Sequence, residues 1–520
     1  MTGEHDSEAS RSTQLTAGDV RRRAFSGSML LGGKGVLVQV LGLASTILIA
    51  HYLSPGALGE VAFGIMLTTL LVFAGGNQGL TGALIRRQEP PDAADLETAL
   101  GLQLVIGLVI AFGVTVVSLP FGRVGELTAL MAWAIPVTAF RVPAQTVLER
   151  DLAYGRLVSA EVAEIVLFQS WQIATVLAGW GVWGLATAVV WRAVSGTGVL
   201  VALSPDRHLR PRLDRERSRR LRGLGLKIQA TELVDSVRDQ GINLCTAALG
   251  GLPVLGLWSM SFRALQLPLM VISSLYRVSL PAMSRLLALG KDPRPLIEDA
   301  VALVAPPLGV VLVPLAACSP ALFPSVLGKD WAGAAGAVPP ACLGLMLVGP
   351  VSIAGVGYLW AIGDGKVPLR GSIYCTIAWF AVSLPLLPLL GATAVGVGMG
   401  ASLVVLTVTI TQGVRRHVGL SLTRPLLAPT AIAVAAATPA WIAARTLQPT
   451  LVATVVTAAA ATALYLGMLF LFHREISWKV LSFGLPLGRR REPPLPSVQR
   501  VADEGDGRAL SAVDPIARAG

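Results

Sequence analysis

Charge is scarce along this chain, and the signatures of bond-making chemistry are missing. Only 14% of the 520 residues are Asp, Glu, Lys or Arg, against about 25% in soluble domains. Five histidines (His5, His51, His208, His417, His473) sit at the termini or at the ends of apolar runs, which gives no metal-ligand cluster. Four cysteines (Cys245, Cys318, Cys342, Cys375) show no C-x-x-C spacing and read as small buried hydrophobes. No G-x-x-x-x-G-K-[ST] occurs. The nearest string, Gly363-Asp-Gly-Lys366, lacks the spacing that cradles phosphate and reads as a turn. No D-x-D lies in a loop on the sparsely charged side, and every loop there is too short to fold as a domain. These absences exclude a built-in ATPase, a metal enzyme and a membrane glycosyltransferase, and leave no call for a cofactor.

What is present is apolar sequence. The chain is 53% hydrophobic with mean hydropathy +0.66. Fourteen runs approach the roughly 20 residues a helix needs to cross a bilayer: 29–51, 60–84, 96–119, 127–147, 157–179, 182–203, 224–248, 254–275, 300–325, 336–361, 368–388, 392–413, 426–446 and 450–472. The expected fold is therefore all-α and polytopic.

The 42 basic residues are distributed unevenly. With the leader 1–28 (Arg21, Arg22, Arg23) taken as cytoplasmic, nearly all fall in the leader, the even-numbered loops, the adjoining span ends or the tail. Arg123, Lys329 and Arg445 alone lie on the other side. The positive-inside rule then predicts an inner-membrane protein with both termini cytoplasmic. The first span is too long for a signal h-region and reads as an uncleaved anchor, and the tail from 485 to 520 as disordered. The net charge of +11 belongs to loops beside the membrane, so lipid headgroups rather than nucleic acid are its expected partners.

The basic loop 204–223 divides six spans (29–203) from the next six (224–413), with 426–472 supplying two more. A faint echo links the halves. Pro55-Gly-Ala-Leu-Gly59 resembles Pro253-Val-Leu-Gly256, and Phe121-Gly-Arg-Val-Gly-Glu126 sits where Leu327-Gly-Lys-Asp-Trp331 sits later. An even number of helices per half gives both halves one orientation, related by an axis along the membrane normal, with a site between them.

Ionisable groups at membrane depth are costly and mark cavities or pairs. Arg141, Arg192, Arg238 and Arg263 lie within spans. At 100° per residue, Gln229, Glu232, Asp235, Arg238, Asp239 and Asn243 fall on about half the circumference of the seventh span. Either that stripe lines a hydrated cavity, with carboxylates for H⁺ or Na⁺ and arginines for an anion, or its charges pair with one another. Glu161 and Glu164 lie near Arg156, where an interfacial ion pair is the simpler reading. Asn77 and Gln78, inside Gly75-Gly-Asn-Gln-Gly79, mark an expected helix bend. Trp180, Trp183 and Trp331 suit an interfacial belt.

Ala50-His-Tyr-Leu-Ser-Pro-Gly-Ala-Leu-Gly-Glu-Val-Ala62 resembles the first outward turn of the bacterial polysaccharide flippases of the multidrug/oligosaccharidyl-lipid/polysaccharide superfamily. Gly79-Leu-Thr-Gly-Ala-Leu-Ile-Arg-Arg87 is similar to the end of their second helix. Arg238-Asp-Gln-Gly-Ile-Asn243, Ser261-Phe-Arg-Ala-Leu-Gln-Leu-Pro268, Leu280-Pro-Ala-Met-Ser-Arg285, Leu327-Gly-Lys-Asp-Trp331 and Gly363-Asp-Gly-Lys366 continue the likeness in order, over about residues 25–415.

The resemblance implies fourteen helices in two six-helix lobes around a central cavity. It implies a substrate of undecaprenyl-diphosphate carrying a short oligosaccharide, moved between leaflets by alternating access. Arg141, Arg192, Arg238 and Arg263 would hold the diphosphate or acidic sugars, and Glu232, Asp235 and Asp239 would couple H⁺ or Na⁺. A polymerase and glycosyltransferases would be its partners. Asn77 stands where an aspartate is frequent, which argues against coupling in the second span. A lipid II flippase, a drug/cation antiporter of the same superfamily, whose cavity should be net acidic, and a non-transporting scaffold are the competing readings.

Overall fold

The computed structural model describes residue 35 and residues 38–74, 77–86, 91–151, 153–205, 210–289, 292–420 and 423–472. Backbone alone is described for Asn77, Gln78 and 220–235, among others. The leader, the tail and the loop residues 206–209 lie outside them.

Every regular element among the described residues is helical. In chain order these are α1 (Val38–Tyr52), α2 (Pro55–Ala74), α3 (Asn77–Arg86), α4 (Ala93–Ser118), α5 (Gly122–Ala132), α6 (Ala134–Thr138) and α7 (Arg141–Arg150). Next come α8 (Tyr154–Leu177), α9 (Val182–Leu203), α10 (Arg215–Gly250), α11 (Leu252–Ala288) and α12 (Arg294–Val326). The last are α13 (Val338–Val351), α14 (Gly357–Ala361), α15 (Lys366–Leu390), α16 (Ala392–Val418), α17 (Thr423–Thr446) and α18 (Leu451–Phe472). Among the described residues, ten stretches are long and apolar enough to cross a membrane. Helices also occupy the other expected spans, but α1 is short, α5–α7 are interrupted, and α8 and α10 carry acidic and amide side chains.

Interruptions follow prolines. Pro136 and Pro143 cannot donate backbone hydrogen bonds, and the span 127–147 is broken at Trp133 and again at Ala139–Phe140. After Pro350 the helix loosens into a π turn, Ser352–Val356. Helix α12 runs on through Pro306, Pro307, Pro314, Pro320 and Pro324. There the Tyr465 hydroxyl of α18 donates to the Pro306 carbonyl at 3.3 Å.

Two hairpins repeat one turn. Gly181 joins α8 to α9 at φ 55°, ψ −128°, and Gly391 joins α15 to α16 at φ 54°, ψ −132°. Only glycine adopts that conformation readily. The fifth and sixth expected spans of each half thus turn alike, a repeat signal carried by backbone geometry. Gly122 and Gly328, in the second of the sequence echoes, also have positive φ.

The halves meet along α2 and α11, which pack against each other at the echoed Pro-Gly segments. A Cβ on Gly59 would stand 1.8 Å from the Leu252 carbonyl oxygen, and one on Gly256 would stand 1.9 Å from that of Pro55. Trp331, expected in an interfacial belt, is instead 1% exposed and donates its indole N–H to the Ala50 carbonyl at 3.0 Å. The echoed loop therefore plugs the contact between the halves rather than facing headgroups. Around it lies a continuous apolar core that includes Ile49, Leu58, Met131, Leu255, Trp258 and Ala334.

At the end of the bundle bearing most arginines, Asp92 caps α4 by accepting from the Asp95 amide at 2.6 Å. Arg217 at the start of α10 donates to Asp92 at 2.7 Å and to Asp95 at 2.8 Å. The Arg212 amide donates to the Glu97 carbonyl. The basic segment before α10 is thereby pinned to α4. The Arg217 hydrogen bond, followed by that from the Asp95 amide, holds the Asp92 carboxyl below the usual carboxylate range.

Candidate functional site

Between the two halves lies a cavity of about 190 Å³, walled by α1, α2, α8 and α9 on one side and α10 and α11 on the other. Its polar lining is Thr46, Gln172, Gln240, Asn243, Ser259, Arg263 and Gln266, and the remainder is apolar or aromatic. The amides come from helix faces that also supply core residues, so they are presented by rigid elements rather than loops. The Trp258 indole donates to the Asn243 side-chain carbonyl at 3.1 Å, which fixes that amide.

Arg263 is the one charged residue lining the cavity among the described residues. Protein surrounds it deeply, yet much of its side chain remains open, and that open surface faces the cavity. Its Nη1 donates to the Thr46 hydroxyl at 2.7 Å, across the junction of the halves. No carboxylate among the described residues lies within ion-pair distance of it. A guanidinium in this position retains donors for an oxyanion entering between the halves.

Arg141 and Arg192 are brought together elsewhere, on Glu164. Arg141 Nη2 on α7 lies 2.5 Å from Glu164 Oε2, and Arg192 Nε on α9 lies 2.8 Å from Oε1. The carboxylate is 5% exposed. Gly196 makes room for it, since a Cβ there would stand 2.6 Å from Oε2. The pairing of Glu164 with Arg156 read from the sequence is therefore replaced by a triad centred on a buried carboxylate. Its members are separated by 23 and 28 residues, whereas Arg156 was merely near in sequence. Arg192 also lies over the Phe168 ring at 5.3 Å, beside a stacked Trp171–Trp191 pair with centroids 4.7 Å apart.

Arg238 sits where α10 meets α15. It donates to Asp239 at 2.8 Å and approaches the Ser372 hydroxyl at 3.4 Å. Gln240 and Asn243, not Arg238, represent α10 in the cavity. The side chains of Glu232 and Asp235, and those of Asn77 and Gln78, lie outside the described residues. Residues 75–76, between α2 and α3, also lie outside, so the expected bend falls outside the described residues. No group of three or more His, Cys, Asp or Glu suited to a metal occurs among the described residues.

Thr46, Gln172 and Gln240 were not singled out by sequence. Neutral polar residues in apolar helices are common, and only the junction of the halves selects these three.

The sequence profile described as Polysaccharide biosynthesis protein matches residues 48–336, more than half of the chain. The chain belongs to this family. A search of curated proteins finds no match. Among solved structures, this family member is similar to the lipid II flippase MurJ in an inward-closed conformation, with TM-score 0.68, 12% identity, and coverage of 86% of this chain and 99% of that one. It is also similar to an inward-facing multidrug-resistance MATE transporter of the MOP superfamily, with TM-score 0.55, 18% identity, and coverage of 73% and 94%. At these identities the likeness is one of fold. The polysaccharide biosynthesis family member is a multi-pass membrane protein with the fold of those transporters.

Proposed function

We propose that the protein is a flippase that moves a lipid-diphosphate-linked oligosaccharide across the cytoplasmic membrane by alternating access. The observation that carries this reading is Arg263, the sole charge among the described residues lining a cavity between two halves, with its donors uncommitted to any carboxylate described. An oxyanion is what such a guanidinium stabilises, and a diphosphate linked to sugar is the anion that polysaccharide assembly offers. Neutral amides around it (Gln172, Gln240, Asn243, Gln266) suit sugar hydroxyls. Membership of the polysaccharide biosynthesis family favours a surface-glycan repeat unit over the lipid II that the similar structure is named for.

On this reading the halves act as two six-helix lobes within a fourteen-helix bundle. The termini are cytoplasmic, and a polymerase and glycosyltransferases act on either side of the step. Asp239, with Glu232 and Asp235 on the same helix, remains a proposed H⁺ or Na⁺ coupling group.

Depletion in the native host tests the function, with lipid-linked oligosaccharides quantified on each leaflet. Accumulation of complete repeat units on the cytoplasmic leaflet, with loss of surface polymer, is the expected result. Unchanged pools would overturn it, and arrested peptidoglycan synthesis would assign lipid II instead.

A further inference from the structure

Glu164 and Arg192 of the triad with Arg141 lie near the middle of their helices. Glu164 is ten residues from the start of α8 and Arg192 ten from the start of the antiparallel α9. At 1.5 Å per residue, each stands about 15 Å in from its own end, half of a hydrocarbon core about 30 Å thick. Charge there is expensive, and this triad carries a net positive charge.

Its hydrogen bonding is unbalanced. Glu164 is buried and satisfied from both sides, but Arg192 spends only Nε on it. The two terminal amino groups of Arg192 have no acceptor among the described residues, and the side chain is 51% exposed. A half-exposed guanidinium fork at this depth, backed by Phe168, is an open position for an oxyanion. Two guanidiniums would balance the two negative charges of a diphosphate diester, provided that Glu164 is neutral.

We propose that the triad is a second headgroup site of the flippase, with Glu164 as an exchangeable counter-ion that binds one proton for each diphosphate taken up. This rests on the flippase reading and adds to it a second proton-coupled group, apart from those proposed on α10. With Glu164 ionised, Arg141 and Arg192 are held by the carboxylate. As the diphosphate oxygens accept N–H donors from Arg192 and then Arg141, a proton from the aqueous phase binds a Glu164 oxygen. When the headgroup leaves on the far side, the guanidiniums return to Glu164 and that proton is released there.

The charged and titratable groups on the packed elements are Arg141, Glu149 and Arg150 on α7, Arg192 on α9, and Tyr154, Arg156 and Glu161 on α8 itself. Only Arg141 and Arg192 reach Glu164. Glu149 accepts instead from Gln145 at 2.7 Å, and Arg150 donates to the Leu84 carbonyl at 2.9 Å.

The test uses the full chain in nanodiscs, a fluorescent short-chain prenyl-diphosphate-linked monosaccharide as probe (a diester with no ionisation of its own between about pH 5 and about 8), and weakly buffered solution in which proton uptake is read directly. Wild type should bind more tightly as pH falls from about 8 to about 5, by up to tenfold per unit, the limit for one linked proton. E164Q should bind at the wild type's low-pH affinity at every pH and take up no proton. R192Q should bind weakly at every pH and also take up none, which keeps the proposal testable should E164Q fail to fold. Wild-type proton uptake in E164Q would overturn it. Inorganic pyrophosphate is the second arm, and binding as tight as the lipid's would overturn the assignment to a lipid headgroup. If R263Q abolishes binding while E164Q keeps the wild-type pH profile, the flippase reading stands and this inference falls. If wild type does not bind the prenyl-diphosphate-linked sugar at any pH, both fall.

Discussion

Gly59 and Gly256 face each other across the junction of the two halves, and a Cβ on Gly256 would come within 3.1 Å of the Gly59 amide nitrogen. The contact is reciprocal: each glycine abuts a carbonyl at the start of the other's helix, Leu252 for Gly59 and Pro55 for Gly256. Reciprocity is what a pseudo-twofold between equivalent segments produces. It also means that this closure depends on backbone surfaces that no larger residue can present.

Valine at position 59 should therefore hold this end open. Overpacking typically costs about 1–3 kcal/mol, and here the clash is with backbone that cannot rotate away. A cysteine pair at Gly56 and Pro253, where a Cβ on the first lies 3.6 Å from the Pro253 ring, should oxidise readily in the otherwise unaltered protein. Added G59V should reduce that cross-link several-fold. Unchanged cross-linking would show that the closure does not need the glycine.

Removing the cavity charge should abolish transport without unfolding the protein. R263A deletes a charge-assisted interaction of about 1.5–3 kcal/mol, roughly ten- to hundredfold in headgroup affinity. R263K should recover only part of this, because an ammonium cannot make the bidentate contact. Surface polymer in a complemented deletion strain, with protein abundance measured alongside, reads the outcome.

Trp331→Phe keeps most of the apolar volume but loses the N–H donated to Ala50, and should cost about 1 kcal/mol. Trp331→Ala also opens a cavity in the core and should cost about 3–5 kcal/mol. Thermal unfolding in nanodiscs orders the two variants. Equal destabilisation would mean that the indole hydrogen bond, not packing, dominates.

Asp92 gives a pH-dependent contribution of known sign. Its carboxyl is held below the usual carboxylate range by Arg217, so the stabilisation is present above about pH 4, the ordinary aspartate value, and is lost as acidification reaches the depressed folded value. D92N should remove this acid sensitivity, while D92A should cost about 0.5–2 kcal/mol through the lost helix cap. Unfolding midpoints of wild type and both variants, followed from pH 6 downward, provide the comparison.

Helix positions were legible wherever hydropathy alone decides them: 182–203 is α9, and 368–388 and 392–413 lie within α15 and α16. Ends were misjudged where a helix runs on past its apolar stretch. The expected 254–275 is Leu252–Ala288, because its last turns, with Arg277 and Arg285, are polar but still helical. Within the candidate site, the arginines inside apolar spans were visible as charges out of place, but their partners were not. Arg156 is near Glu164 in sequence, yet α7 and α9 deliver Arg141 and Arg192 to it through tertiary packing that no local spacing encodes. Likewise the glycine echo suggested a repeat, without indicating that its two copies touch.

The prolines of α12 bear on how the C-terminal half can deform. Each one has already removed a main-chain donor and left a carbonyl one turn earlier without its main-chain partner, that of Ala316 accepting from the Ser319 hydroxyl instead. A rod made of complete turns must break hydrogen bonds to bend, whereas at Pro306, Pro307, Pro314, Pro320 and Pro324 those bonds were never formed. Flexing at these points needs only dihedral rotation and side-chain repacking. α12 can thus act as a string of short stiff segments while α17 and α18, packed along it, travel with whichever segment they touch.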